Sequence, residues 1–372
     1  MSATGKREAA PELLRILAML AIIAAHYATK SGFSYTGGSG LSAGRLFLQT
    51  FSVGGFGDDI FILLTGYYLS KKKKSSPAKV LRLAGVTFFY TVLFYLILVL
   101  LLGRGAEYDR SLEKLLHIIF PVPFGSYWFI TDYLVLYLAS PYLNRLLDML
   151  DEVTHRRILL GGICLFSVIP SVLRADFGAA GSWLPWFFVL YLTGAYIRLY
   201  ADTGKGPFAR LSVDRGRLLL LFIGSVLLRV VILAIVDAIS PTVTFLIPYE
   251  GTLSEIDQFL FFVPALTLFL LFRNMRIRGN AVLYEAAASV FGVYLIHNNE
   301  YLKDILWHDI FRCQIMQDSP LLPLHMVGTV IAVFVICVIL ESLRRYAFRA
   351  AGSLILPKQR GRRTGASSFD KK

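Results

Sequence analysis

The sequence predicts an all-α integral membrane protein, a bundle of about ten transmembrane helices with the N-terminus and the C-terminus both cytoplasmic. Three observations carry this prediction. The 372 residues are 56% hydrophobic and only 17% charged, against the roughly 25% charged residues of ordinary soluble domains. The apolar residues gather in runs that approach the about 20 residues a helix needs to cross a bilayer. The lysines and arginines divide unevenly between the segments that join those runs.

The runs are 12–29, 47–70, 80–102, 127–147, 157–174, 183–201, 217–236, 257–272, 281–299 and 322–344. With the N-terminus inside, cytoplasmic segments hold 27 of the 38 Lys and Arg residues and outer segments hold 8; Arg15, Arg198 and Arg229 lie within runs. Positive loops stay on the cytoplasmic side, and one run more or fewer would invert the later loops and erase the bias. Residues 1–11 then form a cytoplasmic N-terminal segment, 12–344 the transmembrane domain, and 345–372 a basic cytoplasmic tail of disordered composition. The formal charge of +13 sits in short loops without a basic–aromatic face. The partner it implies is the lipid bilayer of the cell membrane, crossed many times, and no nucleic acid. Cys164, Cys313 and Cys337 form no disulfide framework, and no His/Cys cluster calls for a metal.

Ionisable side chains at membrane depth are costly and face the bundle interior, so they are the informative residues. In the first run Arg15 and His26 stand eleven apart, three turns along one stripe and about 16 Å. Arg15 falls near the cytoplasmic edge, where it can equally snorkel to headgroups. His26 falls in the outer half, where it is either a neutral interhelical hydrogen-bonder or a general base. In the second run Asp59 lies at depth, while Asp58 reads as nearer the headgroups. Lys71, Lys72, Lys73 and Lys74 close that run as a topology anchor, or as a landing site for a polyphosphate. In the fourth, Trp128, Asp132, Ser140 and Asn144 repeat at helical spacing. Trp128 is an interfacial aromatic or a stacking surface for a sugar ring. Arg229, in the outer half of the seventh, calls for an anionic partner: Asp59, Asp132 or an acidic substrate. In the ninth, Tyr294 lies one turn below His297. His26, Asp59, Trp128, Asp132, Arg229 and His297 thus come from five helices and share the outer half, as a polar site opening outward would require.

Several segments also resemble a known family. ELLRILAMLAIIAAHY (12–27) resembles the opening helix of the acyltransferase family 3 membrane proteins, with its arginine and a histidine about eleven residues later. DDIFILLTGYYLS (58–70) resembles their second helix, YWFITDYLVLYLASPYLNRLL (127–147) the fourth-helix region, and FGVYLIHNNEYLKDILW (291–307) the late helix with Tyr-Leu-Ile-His. The matches occur in family order. The resemblance implies a ten-helix membrane O-acyltransferase. It would carry an acyl group, usually acetyl, from cytoplasmic acyl-coenzyme A to a hydroxyl of an extracytoplasmic or lipid-linked sugar, or of an envelope or exported polysaccharide. It further implies that His26 is catalytic, with Arg15 as its partner arginine. Thr65 replaces the family's serine, and lysines stand where many members carry an Arg-x-x-Arg pair. Binding of the donor by bidentate arginine is thereby put in question, since lysine offers only a point charge.

For the chemistry, His26 is the expected base, with Asp59 orienting the imidazole (Asp132 could do the same). Trp128, Asp132, Arg229, Tyr294 and His297 are the expected substrate-binding residues, and Lys71 to Lys74 the donor-binding ones. No bound cofactor is expected; acyl-coenzyme A is a substrate. A flippase for lipid-linked sugars would also need an outward polar cavity. It would more often show broken helices or inverted repeats, and neither is evident in the sequence.

Overall fold

The computed structural model describes residues 8–33, 40–52, 54–103, 111–174, 183–211, 214–247, 249 and 259–355, and among them every regular element is a helix. In order these are α1 (Ala9–Lys30), α2 (Ala43–Phe51), α3 (Gly54–Leu69), α4 (Pro77–Phe94, continued by π-helical Tyr95–Leu101), α5 (Leu112–Ile119) and α6 (Trp128–Asp148). Then follow α7 (Glu152–Ile163), a π-helical turn Cys164–Val168, α8 (Ile169–Leu173), α9 (Leu184–Leu199), α10 (Pro207–Leu211) and α11 (Arg215–Ile239). Last come α12 (Phe259–Arg273), α13 (Ala281–His297) and α14 (Leu322–Ile355).

Among the described residues each of the ten expected runs falls mainly on helix, with 47–70 divided between α2 and α3. Among the described residues six stretches are long and apolar enough to cross a membrane: Ala9–Lys30, Ala43–Leu69, Pro77–Leu101, Glu152–Leu173, Arg215–Ile239 and Leu322–Ala351. α12 and α13 are shorter apolar helices. The 16 residues of α9 fall short of a full crossing at about 1.5 Å per residue, and α6 dilutes its apolar face with Asp132, Asn144, Arg145 and Asp148. α14 continues past the boundary expected at 344, through Ile355. Residues 1–7 and 356–372, most of the expected terminal segments, lie outside the described residues, as do Glu250, Glu255 and Asp257.

Local chemistry sets the helix starts. Asp151, Asp214 and Asn280 stand before α7, α11 and α13, and each side chain accepts the backbone N–H three residues on, at 2.9–3.0 Å. That satisfies one of the donors every helix start leaves free.

α1 and α3 run through the middle of the bundle. Ala18, Ile23 and Tyr27 of α1 and Ile60, Ile62 and Leu63 of α3 are fully buried. α11 is the opposite case: Leu219, Leu220, Leu227, Leu228, Val231 and Ile235 are all exposed. An outer surface that apolar is stable where the surrounding solvent is lipid.

The polar contacts gather at opposite ends. At one end Asp202 holds Arg198 and Arg273, each at 2.9 Å, Lys73 pairs with Asp148, and Arg345 pairs with Glu285 at 3.0 Å. At the other, Lys30 donates to Asn298, Lys114 pairs with Glu300 at 3.1 Å, and Arg45 with Asp237 at 3.4 Å. The first set joins the C-terminal ends of α3, α6, α9, α12 and α14 to the N-terminal end of α13. The second joins the C-terminal ends of α1, α11 and α13 to the N-terminal ends of α2 and α5, so α13 reaches from one layer to the other.

Between these layers one buried charge is fully paired. Glu341 on α14 takes two bonds from Arg344 and one from the Tyr90 hydroxyl, each at 2.7 Å. It packs where Gly292 of α13 leaves room; a Cβ there would lie 2.5 Å from the carboxylate. A buried carboxylate is costly unless such partners replace its water.

Candidate active site

α1 delivers His26 and α13 delivers His297 to one point. His26 Nδ1 and His297 Nε2 are 2.9 Å apart, and their rings tilt at 45° with centroids 5.0 Å apart. His297 is fully buried, His26 only partly. The second nitrogen of His297, Nδ1, is 2.6 Å from the carbonyl oxygen of Val293.

This chain of contacts assigns the protons. A carbonyl oxygen only accepts, so His297 Nδ1 carries a hydrogen. In a neutral imidazole the other nitrogen is then a bare acceptor. His297 Nε2 therefore accepts, and His26 Nδ1 donates. His26 Nε2 is left with its lone pair, the arrangement a general base requires. One backbone carbonyl, in ordinary helical register with His297, thus sets the tautomer of a residue on another helix.

Below this pair lies a cavity of about 280 Å³. On α1 it is lined by Arg15, Met19 and Ile22, a stripe whose next turn is His26. On α13 its lining includes Phe291 and Tyr294, a stripe whose next turn is His297. The two histidines thus stand one turn beyond the lined part of the cavity, above its head. Arg15, Tyr68 and Lys79 stand at its foot, on the same side as the Lys71 to Lys74 run. Arg15 is held by Glu12 at 2.8 Å. Lys79 donates to the Tyr133 hydroxyl at 3.0 Å and lies 4.2 Å above the ring of Tyr137. Between head and foot the walls are mostly apolar: Met19, Phe61, Leu64, Leu83, Phe129 and Ile130.

The other expected residues stand elsewhere. Asp59, expected to orient His26, makes its described contact with α9. Its carboxylate accepts the indole N–H of the buried Trp186 at 2.9 Å, fastening α3 to α9. Asp132 accepts the backbone N–H of Trp183 at 3.0 Å, close to the start of α9. Trp128 is partly exposed against Phe187, with ring centroids 6.1 Å apart. Arg229 donates to the backbone oxygens of Gln49 and Thr50 at 2.9 and 3.2 Å, and stacks 4.6 Å from the Phe261 ring. The physical reason is the break between α2 and α3. A helix end leaves carbonyls without partners, and a cation is favoured there. Within the apolar run 47–70 this carbonyl cluster carries no compositional signal. All four residues of the lysine run are exposed, and Lys73 also reaches Asp148 and the Asn144 carbonyl.

Asp58, Tyr68, Lys79 and Tyr133 line the cavity without having been singled out as site residues. For Asp58 a signal was present. Asp58, Phe61, Thr65 and Tyr68 repeat at three, four and three residues, one face of a helix, and all four line the cavity. Among the described residues, no group of three metal-ligating side chains gathers.

A helical membrane protein with a histidine pair just beyond a cavity has the makings of a group-transfer enzyme. Residues 8–342 match the family model of an acyltransferase domain, Acyl_transf_3. The chain belongs to that family, acyltransferase family 3, and is an acyltransferase that moves groups other than aminoacyl groups. Nothing among curated proteins or solved structures matches it.

Proposed function

We propose that the protein transfers an acyl group, acetyl in the first instance, from cytoplasmic acyl-coenzyme A to a hydroxyl of an extracytoplasmic or lipid-linked sugar destined for an envelope or exported polysaccharide, and that it does so in the cell membrane, across ten spans. The observation that carries this reading is the pairing of His26 with His297 just beyond the head of a cavity whose foot is cationic. A sugar hydroxyl is a poor nucleophile at neutral pH, and a base must take its proton during attack. His26 Nε2 takes that proton as the hydroxyl oxygen attacks the thioester carbonyl carbon. The carbon–sulfur bond then breaks, and the thiolate of coenzyme A receives the proton from His26. His297 accepts from His26 Nδ1 throughout and so keeps Nε2 aimed at the hydroxyl.

The mostly apolar walls suit the slender acyl-bearing arm of the donor. Arg15, Lys79 and the exposed lysines suit its phosphorylated nucleotide end, with all these lysines cytoplasmic under the charge bias. The test has two arms. Envelope polysaccharide from cells with and without the gene is compared by mass spectrometry, and an O-acyl mass difference is expected. Purified protein in liposomes is supplied with acetyl-coenzyme A and the acceptor, and free thiol release is followed. If neither the mass difference nor the thiol is found, this choice of donor and acceptor is wrong.

A further inference from the structure

Among the described residues Asp58 is the one carboxylate lining the cavity below the histidine pair, among apolar side chains, Arg15, Lys79 and a few hydroxyls. It is 7% exposed, and among the described residues it makes no hydrogen bond or ion pair. A buried carboxylate without a partner costs several kcal/mol, and an apolar residue there would fold at least as well. The group is therefore expected to meet something that enters the cavity.

Its height identifies the partner. Gly57, the preceding residue, lies against Ala18 and Ile22 of α1; a Cβ on it would come within 2.7 Å of the Ile22 side chain. Asp58 is thus level with Ile22, one turn below His26, or about 5.4 Å along the axis. Tyr294, also one turn below its histidine, lines the same level, and among the described residues its buried hydroxyl has no partner in hydrogen-bond geometry. In a pantetheine thioester the first amide N–H is separated from the sulfur by two methylene groups. With the acyl carbon at His26, that amide falls within about one helical turn of it, at the level of Asp58 and Tyr294.

The geometry points to a subsite that reads the amide of the donor's arm: Asp58 accepts the amide N–H nearest the thioester, and the Tyr294 hydroxyl donates to the amide carbonyl. This rests on the acyl-coenzyme A reading and narrows it to amide-bearing thioesters. It makes Asp58 a binding residue that aligns the thioester, with no part in proton transfer.

The test compares thioesters with and without that amide, using full-length protein in liposomes. The donors are acetyl-coenzyme A, S-acetyl-N-acetylcysteamine, which keeps the amide, and S-butyl thioacetate, which lacks it. Wild type is expected to prefer the amide-bearing small thioester over the amide-lacking one in kcat/KM. Asp58→Leu should erase that preference, a loss of roughly tenfold to a hundredfold, as for a hydrogen bond to a charged group. Asp58→Asn keeps an acceptor oxygen and should keep most of the preference. An Asp58→Leu variant that keeps the wild-type preference overturns the subsite, as does one that slows all three donors by the same factor. So does an Asp58→Asn variant as impaired as Asp58→Leu, which would assign the residue to charge or proton transfer. A wild type that accepts no thioester at all overturns the donor reading itself, and this inference with it.

Discussion

Gly66 and Gly194 lie back to back where α3 crosses α9. A Cβ on Gly66 would run into the Tyr191 backbone, and one on Gly194 would meet the Leu63 carbonyl and come within 3.2 Å of the Gly66 carbonyl carbon. Small residues let helices approach closely in lipid, where association depends on packing. Gly66→Ala or Gly194→Ala should force the two helices apart and cost about 1–3 kcal/mol, the usual penalty of overpacking. A lowered unfolding temperature and a broadened elution profile in detergent would register it. Wild-type stability in both variants would mean that the crossing is looser than this geometry.

A neighbouring contact makes a sharper prediction. Asn144 is fully buried, and its Nδ2 donates to the carbonyls of Leu69 and Lys72 while its Oδ1 accepts from the Tyr191 hydroxyl, all at 2.7 Å. It thereby caps the end of α3 just where the lysine run begins. Asn144→Asp keeps the shape but loses both donors and sets a carboxylate against two carbonyls, so it should destabilise by roughly 3 kcal/mol or more. Asn144→Leu removes the bonds without adding a charge and should be milder. Thermal unfolding of the two purified variants ranks them; the reverse order would deny the capping role.

The helices were largely legible because their signal is compositional: apolar runs between charged joints, each run falling mainly on helix. The pairing of His26 with His297 was legible only in part. Both were placed in the outer half, but their sequence separation of 271 residues carries no information about contact. The contact of Asp59 is not legible for a physical reason. Depth along a helix can be read from the sequence, whereas the direction a residue faces depends on which neighbour fills the other side, here Trp186 of α9. The carbonyl contacts of Arg229 are not legible because a break at Ser52 is a local event within a hydrophobic run. Ser52, Gly54 and Gly55 could have signalled it.

The lysine run should act collectively. All four lysines are exposed, and Lys73 also pairs with Asp148. Replacing Lys71, Lys72 and Lys74 by glutamine should raise KM for acetyl-coenzyme A at low salt and leave kcat in place. The difference should fade towards about 1 M salt, where the screening length is about 3 Å. Unchanged KM together with poor membrane insertion would reduce the run to a topology anchor.

The charge bias also predicts sidedness. In a variant with Cys164 replaced, Ser75→Cys should resist a membrane-impermeant thiol reagent in intact cells and react after lysis. A cysteine introduced within 30–46 or 303–320 should react in both. Labelling at position 75 from outside would reverse the orientation and put the cationic foot of the cavity on the wrong side for a cytoplasmic donor.

The tautomer chain gives the most discriminating set of variants. His26→Ala and His26→Gln both remove the base, and each should lower acyl transfer by roughly a hundredfold to ten-thousandfold. Neither should unfold the protein, because an interhelical hydrogen bond in lipid averages only about 0.6 kcal/mol. Position 297 separates geometry from mere bulk. His297→Gln can present its carbonyl oxygen to His26 Nδ1–H, preserving the tautomer, and should be mild. His297→Leu offers no acceptor, frees both the tautomer and the ring orientation of His26, and should cost more. His297→Lys presents only donors, so His26 Nδ1 would have to accept and the hydrogen would move to Nε2, where the base is needed. Its loss should approach that of His26→Ala although the base is still present. Product formed per monodisperse protein gives the ranking, Gln above Leu above Lys. A lysine variant as active as the glutamine one would show that His26 does not depend on accepting through Nε2, and the general-base assignment would have to be given up.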